Sequence, residues 1–224
     1  MTYGSAVGSK FYEDGSVRRY PGNTCVADIT PVCPAYKVMQ KIRQMVMDEG
    51  LDEYFILLPE DSYHMTLIRG LNHQVRKEGF WPPLLPKDLP MPKVDDYVEA
   101  AMKKAVLPEK CRMKFRSVNK SSKSCIVIYL DPVDEEENKK LRDFRDRAAE
   151  EIGFRLPKHE EYNFHISLAY TRVIPEGEVE EKVEAFRQKV NEMLAGEPPF
   201  DTAPPYVAFY DDMYAFHPHR IPRD

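Results

Sequence analysis

The chain has 224 residues, of which 42% are hydrophobic and 31% are charged, an ordinary balance for a soluble protein. Its net charge of −5 argues against a surface that wraps long nucleic acid, because such surfaces are basic. A small phosphodiester held in a local pocket stays compatible with this charge. No apolar run approaches the roughly 18 residues of a membrane span, so we expect no membrane partner.

The cysteines show neither a CxxC pair nor a zinc-binding spacing. We therefore expect free thiols, which are typical of a reducing compartment. The N-terminal residues lack the basic and apolar regions of a secretion signal. Together these features predict a cytoplasmic protein. The four cysteines are Cys25, Cys33, Cys111 and Cys125.

The first half of the chain alternates strand and helix patterns. Gly and Pro mark the boundaries, since Pro is tolerated at a helix start and Gly favours a helix end. The predicted elements are a hairpin at 10–22 with an Asp14-Gly15 turn, a buried strand at 23–29, a helix from Pro34 to Gly50, and a short strand at 54–58.

Residues 71–93 form a proline-rich segment that contains five prolines and the only tryptophan, Trp81. Proline removes a backbone donor and fixes φ, so this segment is predicted to be neither a regular helix nor a central strand. Two interpretations stay open. The segment is a functional loop such as a lid, or Trp81 simply anchors it at the edge of the core.

The second half continues with helical and alternating patterns. An apolar residue at every second position predicts a strand, and an apolar stripe at every third or fourth position predicts a helix. The predicted elements are a helix at 94–106, paired strands at 113–116 and 126–130, a helix at 134–152 that stops at Gly153, a strand at 162–170, a helix at 176–194, and a closing strand within 206–216.

Two short stretches share one pattern: residues 63–67 (Tyr-His-Met-Thr-Leu) and residues 164–168 (Phe-His-Ile-Ser-Leu). Side chains alternate between the two faces of a strand. The aromatic and apolar residues are therefore predicted to face the core, and His and the hydroxyl residue to share the other face. The same alternation assigns Arg69 and Tyr170 to the core side, and for that reason we place them outside the site.

The contexts of the two stretches also match. A helix stop at Gly50 precedes His64 by 14 residues, and one at Gly153 precedes His165 by 12 residues. A Leu-Pro pair lies between the stop and the histidine in each case. This repetition predicts a duplicated α+β lobe with a cleft between the two copies.

Paired histidines and hydroxyls suit the cleavage of a phosphodiester. The reaction needs a base, an acid and donors for the non-bridging oxygens. Two histidines supply base and acid near neutral pH, and Thr66 and Ser167 supply hydroxyl donors. A single H-x-[ST] strand is usually structural, whereas two in matched contexts favour a function.

The stretches His64-Met65-Thr66-Leu67 and His165-Ile166-Ser167-Leu168 resemble the paired H-x-[TS] motifs of the 2H (two-histidine) phosphoesterase superfamily, which includes RNA 2',3'-cyclic phosphodiesterases and 2'-5' RNA ligase-like proteins. The segments at 10–17, 21–24 and 81–82 resemble an uncharacterised bacterial and fungal branch of it. The resemblance implies a bilobal α+β fold over residues 1–224, two antiparallel-sheet lobes with helices outside, and the proline-rich segment as an insert.

The resemblance also implies an activity. It implies a phosphodiesterase that acts on a small cyclic or 2'-5'-linked nucleotide or an RNA end, with no metal and no cofactor, as a monomer. The implied catalytic residues are His64, Thr66, His165 and Ser167. A nucleotide-binding module without catalysis and a metal hydrolase with histidine ligands are the alternatives.

Other polar residues have weaker predicted roles. Asn163 falls on the face of His165 and is predicted either to contact substrate or to make an ordinary hydrogen bond at the strand edge. Asn23 and Thr24 are predicted to approach the cleft. The remaining histidines, His73, His159, His217 and His219, are predicted to be exposed loop residues without a metal-binding pattern.

Overall fold

The computed structural model describes residues 1–222, which form four α-helices and eight strands. The other predicted elements are confirmed with small shifts at their ends, and the short strand β7 is an addition. The hairpin predicted at 10–22 forms no regular strand, and one isolated bridge, Phe11 with Val17, closes its turn. In chain order the elements are β1 (Gly22–Asp28), α1 (Pro34–Asp48), β2 (Phe55–Leu57), β3 (His64–Asn72), α2 (Met91–Ala105), β4 (Arg112–Val118), β5 (Cys125–Pro132), α3 (Glu135–Ile152), β6 (His165–Thr171), α4 (Glu178–Leu194), β7 (Phe200–Asp201) and β8 (Tyr206–Tyr210).

The strands form one antiparallel sheet in the order β7-β4-β5-β6-β3-β1-β8, and β2 pairs with β6 beside this path. The two histidine strands, β3 and β6, lie in the middle. Their ladder consists of one residue pair, Met65 with Ile166. The sheet therefore divides at this junction into two halves, β3-β1-β8 and β6-β5-β4-β7, and the predicted α+β class with two lobes is confirmed.

Helix boundaries follow the local chemistry that the sequence indicated. The Asp134 side chain accepts a hydrogen bond from the Glu137 N–H at 2.9 Å and caps α3. Gly153 ends that helix with a φ of 83°, a left-handed conformation that glycine adopts at little cost. Gly50 follows α1 with a φ of 64°.

The core lies on one face of the sheet. The buried side chains of all four helices join a single apolar cluster with Met65, Leu67, Ile166 and Leu168 of the two histidine strands. Since His64 and Thr66 alternate with the first two of these residues, they lie on the opposite face, which the helices leave uncovered. A second, smaller cluster that includes Phe11, Tyr210 and Met213 covers part of that face.

The proline-rich segment is anchored. Trp81 is 3% exposed, belongs to the main core cluster and donates its indole N–H to the Leu85 carbonyl at 2.8 Å. The Arg76 guanidinium lies over its ring at 4.7 Å. The last prolines of the segment belong to the start of α2, which begins at Met91, because proline fits the first turn of a helix.

The four cysteines are free thiols, as predicted. Within residues 1–222, no helix combines the length and the apolar character that crossing a bilayer requires.

We expect Gly70→Ala to destabilise the fold. A Cβ at Gly70 would lie 2.7 Å from the Asn23 carbonyl oxygen and closer still to its side-chain oxygen. Overpacking of this kind costs about 1–3 kcal/mol. The midpoint of urea unfolding should therefore fall. Gly196→Ala is the matched control, because its nearest neighbour would be 3.8 Å away. Equal midpoints for the two variants would contradict this account.

Candidate active site

The four residues of the two motifs line one cleft, as predicted from the alternation. The cleft has a volume of about 340 Å³ and lies on the face of the sheet opposite the helices. Continuing the Met65–Ile166 register by one residue in either direction sets His64 opposite Ser167 and Thr66 opposite His165. Each histidine therefore lies across from the hydroxyl of the other motif. The lining residues are Lys10, Tyr20, Thr24, Leu58, His64, Thr66, Arg69, Tyr162, His165, Ser167, Tyr170, Tyr210, Met213 and Phe216.

Arg69 and Tyr170 also line the cleft, so their assignment to the core side was wrong. The register of β3 with β1 skips Leu67, and that of β6 with β5 skips Leu168. A bulge of one extra residue puts two consecutive side chains on the same side and reverses the alternation beyond it. The bulge in each strand falls on the leucine of the motif. The side chain two positions after that leucine, Arg69 in β3 and Tyr170 in β6, therefore faces the cleft.

Main-chain carbonyls orient both imidazole rings in the same way. The Nδ1 of His64 lies 2.7 Å from the Ser62 carbonyl, and the Nδ1 of His165 lies 2.8 Å from the Asn163 carbonyl. A carbonyl only accepts hydrogen bonds, so Nδ1 carries the hydrogen in both rings. This leaves Nε2 of each ring as the nitrogen that meets a ligand, as an acceptor in the neutral form and a donor in the charged form.

Burial favours the neutral form of both histidines. It lowers the pKa of His64 to about 4. The hydrogen bond with the Ser62 carbonyl acts in the opposite direction, and the nearby His165 lowers the pKa of His64 a little further. The ring of Phe216 packs on His64 with a centroid distance of 4.2 Å. Burial also lowers the pKa of His165, with smaller contributions from the nearby cations Arg69 and Lys10.

The cleft is positively charged although the chain as a whole is acidic. Lys10 donates to the Tyr170 hydroxyl at 2.9 Å, and its ammonium lies 4.6 Å from the centre of that ring. Burial lowers the pKa of Lys10. Arg69 is the second cation, and no carboxylate lines the cleft within the described residues. Such a surface attracts an anion.

Lys10 was not predicted to belong to the site. It reaches the site from the N-terminal segment and contacts Tyr170, which lies 160 positions away in the sequence. Local patterns carry no signal for such a contact. Thr24 does line the cleft, and its hydroxyl donates to the Ile68 carbonyl at 3.1 Å. Asn23 lies away from the cleft, and its amide donates to Asp95 of α2 at 2.9 Å.

The Asn163 side chain does not line the cleft. Its oxygen accepts from Arg116 at 2.8 Å and its amide donates to the Glu161 carbonyl at 3.1 Å. The hydrogen bond at the strand edge is therefore the better of the two interpretations. Asn163 still contributes to the site through its carbonyl, which orients His165.

The prediction that His159 is exposed was wrong, because it is 7% exposed and its Nε2 lies 3.0 Å from Asp146. Together with Glu160 these two side chains form a cluster of metal-ligand types. However, Arg155 bonds both carboxylates at 2.7 Å and so already balances their charge. The other three histidines outside the motifs, His73, His217 and His219, are exposed as predicted.

Comparison with known proteins identifies the family of this chain. Residues 10–124, about half of the chain, match the model of a family described as 2H-phosphodiesterase, a domain of unknown function (DUF1868). The chain belongs to this 2H family. The matched residues include His64, Thr66, Lys10 and Arg69, while the second motif lies beyond them.

Among solved structures, the conserved protein of unknown function ATU0111 from Agrobacterium tumefaciens is 26% identical over 96% of this chain and 91% of that one, with a TM-score of 0.84. LigT of E. coli in its apo form is 11% identical, covering 91% of this chain and 96% of LigT, with a TM-score of 0.47. TT0787 of Thermus thermophilus is 15% identical, covering 84% and 85%, with a TM-score of 0.46. No curated protein matches the sequence.

We expect Phe216→Ala to raise the pKa of His64 from about 4 toward the ordinary 6.5. The substitution removes the ring that shields His64 from water, so the charged form regains hydration. The measurement is a pH titration of the imidazole resonances by NMR, in which His165 serves as the internal reference. A pKa that stays near 4 in the variant would show that Phe216 does not cause the shift.

Proposed function

We propose that this 2H family member is a metal-independent phosphodiesterase that acts on a small cyclic or 2'-5'-linked nucleotide phosphodiester. The observation that carries the proposal is the matched pair of histidines. Each has Nδ1 fixed by a carbonyl and Nε2 left for a ligand, and each has a hydroxyl residue two positions later in the same cleft. General acid–base catalysis on one phosphorus atom needs two such groups.

In the proposed reaction, the neutral Nε2 of His64 accepts a proton from the attacking water or hydroxyl as its oxygen bonds to phosphorus. The bond from phosphorus to the leaving oxygen breaks, and the protonated Nε2 of His165 gives that oxygen its proton. The step leaves His64 protonated and His165 neutral. His64 then gives a proton to water and His165 takes one up, which restores the starting states. We assign the base to His64 because its pKa of about 4 is strongly lowered, which favours its neutral form.

The hydroxyls of Thr66 and Ser167 donate hydrogen bonds to the non-bridging oxygens in this proposal, and Lys10 and Arg69 balance their charge. Donors that are already in place stabilise the transition state because they need no reorganisation. The anionic substrate raises the pKa of both histidines when it binds, since an opposite charge favours their charged form. This effect supports protonation of His165 in the complex.

The test of the activity is a panel of 2',3'-cyclic nucleotides and 2'-5'-linked dinucleotides. We expect turnover of at least one class, and the same rate in the presence of a chelator. Saturable binding without turnover across the panel would favour a binding module. Loss of activity in the chelator would favour a metal hydrolase.

We further expect His64→Ala and His165→Ala each to lower kcat/KM about 10²–10⁴-fold. The double variant should lose much less than the product of the two effects, because the histidines act as a pair. In the wild-type protein, kcat/KM requires neutral His64 and protonated His165. It should therefore form a bell with its maximum between the two pKa values, below pH 6.5. A folded His64→Ala protein with near-full activity would end this proposal.

A further inference from the structure

The face of the sheet opposite the helices, the open face, differs between the two halves of the sheet. On the half formed by β3, β1 and β8, the smaller apolar cluster with Phe11, Tyr210 and Met213 covers part of it. On the other half, β5 and β4 present exposed or half-buried polar side chains there. This surface begins beside the active site, because Tyr129 of β5 pairs with His165, and their rings lie 6.3 Å apart. A ligand that extends from His165 across β5 therefore reaches a surface that is open to water.

Three cations follow one another along β4 on this surface. Met113 belongs to the apolar core, so alternation puts Arg112 and Lys114 on the open face. Arg116 lies at the bulge of β4 and reaches the same face, because its guanidinium lies over the Tyr129 ring at 4.8 Å. All three cations are exposed. We call them the basic stripe. Two residues of strand span about 6–7 Å, which is close to the separation of successive phosphates in an extended single strand.

Two carboxylates on this surface are already paired. Arg116 binds Asp131 at 3.1 Å. Asp201 of β7 lies 2.6 Å from Lys110 and 4.0 Å from Arg112. Four cations thus surround two carboxylates when Lys114 is included, and the surplus charge is positive. A local surplus of this kind attracts a ligand with several negative charges.

Lys114 is the cation that the carboxylates leave over. It lies opposite Asp131 in the ladder of β4 with β5, but the Asp131 carboxylate is bonded to Arg116. Among the residues that the structure describes, Lys114 has no ion-pair partner. Its ammonium is a compact charge on a flexible stem, and it lies in the middle of the basic stripe. The stripe therefore offers a free cation to a phosphate at this point.

We infer that the basic stripe binds the backbone phosphates of a short single-stranded oligonucleotide whose end lies between the histidines. The inference rests on the proposed function and assigns the strand that precedes the reacting end to the open face of β5 and β4. Contacts to phosphates carry no sequence information, so we expect binding that does not depend on the bases. The stripe follows one strand of seven residues, which suits a few nucleotides. This length is compatible with the acidic total of the chain.

Continuity with the cleft favours a nucleic acid strand over an acidic peptide. The stripe is joined to the active site through Arg116, which donates to the Asn163 side chain at 2.8 Å and lies over the ring of Tyr129. The Asn163 carbonyl in turn orients His165. A ligand that occupies both places needs an anionic group between the histidines and further anionic groups at regular spacing. A phosphodiester chain supplies both with one repeating unit.

Binding of ligands of different length tests the stripe without relying on turnover. Calorimetry would compare uridine 3'-phosphate with a uridine tetranucleotide that ends in a 3'-phosphate. At low salt we expect the tetranucleotide to bind at least about tenfold more tightly, which is one unit in log Kd. The slope of log Kd against log salt concentration should be steeper for the tetranucleotide by about 0.7 for each additional phosphate contact. Equal affinities with equal slopes, or no binding of the tetranucleotide, would overturn the inference.

Lys114→Glu is the variant that tests the position of the strand. It should weaken binding of the tetranucleotide about fivefold or more at low salt and leave binding of uridine 3'-phosphate unchanged. Lys37→Glu is the matched control, because it makes the same change in net charge at an exposed position of α1, on the covered face. Equal losses in the two variants would assign the effect to the total charge and overturn the inference. Arg116 is unsuitable for this test, since it also bonds Asn163 beside His165.

Kinetics separate this inference from the proposed function. The substrates are uridine 2',3'-cyclic phosphate and a uridine tetranucleotide that ends in the same cyclic group. A lower KM for the tetranucleotide, which Lys114→Glu raises without changing kcat, would support both. Binding that depends on Lys114 without turnover of either substrate would support the stripe and contradict the enzyme. Turnover with equal KM values would support the enzyme and contradict the stripe. If a heptaglutamate peptide displaces the tetranucleotide at equal concentration, the surface binds polyanions in general and the inference fails.

Discussion

The junction of the two histidine strands is the constraint on which the rest of the structure depends. One pair, Met65 with Ile166, joins the halves of the sheet, and the backbones separate beyond it. The carbonyl of Thr66 accepts from the Tyr162 hydroxyl and that of Leu67 from Arg145. Side-chain donors therefore satisfy main-chain acceptors next to the junction. Tyr162 and Arg145 also line a smaller cavity beside the cleft.

The cleft is positively charged although the chain as a whole is negatively charged. The acidic total argues against one class of partner, long nucleic acid, because charge acts through its field at a distance. At short range the relevant groups are Lys10 and Arg69, with no carboxylate among the described residues of the cleft. Burial has the opposite effect on the two imidazoles, because it lowers their pKa and favours the neutral form. The positive charge of the site therefore comes from Lys10 and Arg69 and not from the histidines.

Much of the fold and the four motif residues of the cleft could be predicted from the sequence, because the signals are local. Alternation placed His64 and His165 on the open face, and Asp134 and Gly153 marked the ends of a helix. The failures arise where a distant contact overrides the local pattern. A bulge depends on the neighbouring strand, so Arg69 could not be placed. Lys10 reaches the site through a contact with Tyr170, 160 positions away in the sequence. The burial of His159 also depends on tertiary packing. Neither can be predicted from a local pattern.

The position of β8 has a consequence for the order in which the protein is built during synthesis. β8 pairs with β1, so β1 is made long before its outer neighbour. Phe216, which packs on His64, follows β8 in the chain and is made after both motifs. A nascent chain that already carries both histidines therefore lacks the ring that shields the first of them from water. The dry environment of His64 is a product of the finished fold and not of the motif that contains it.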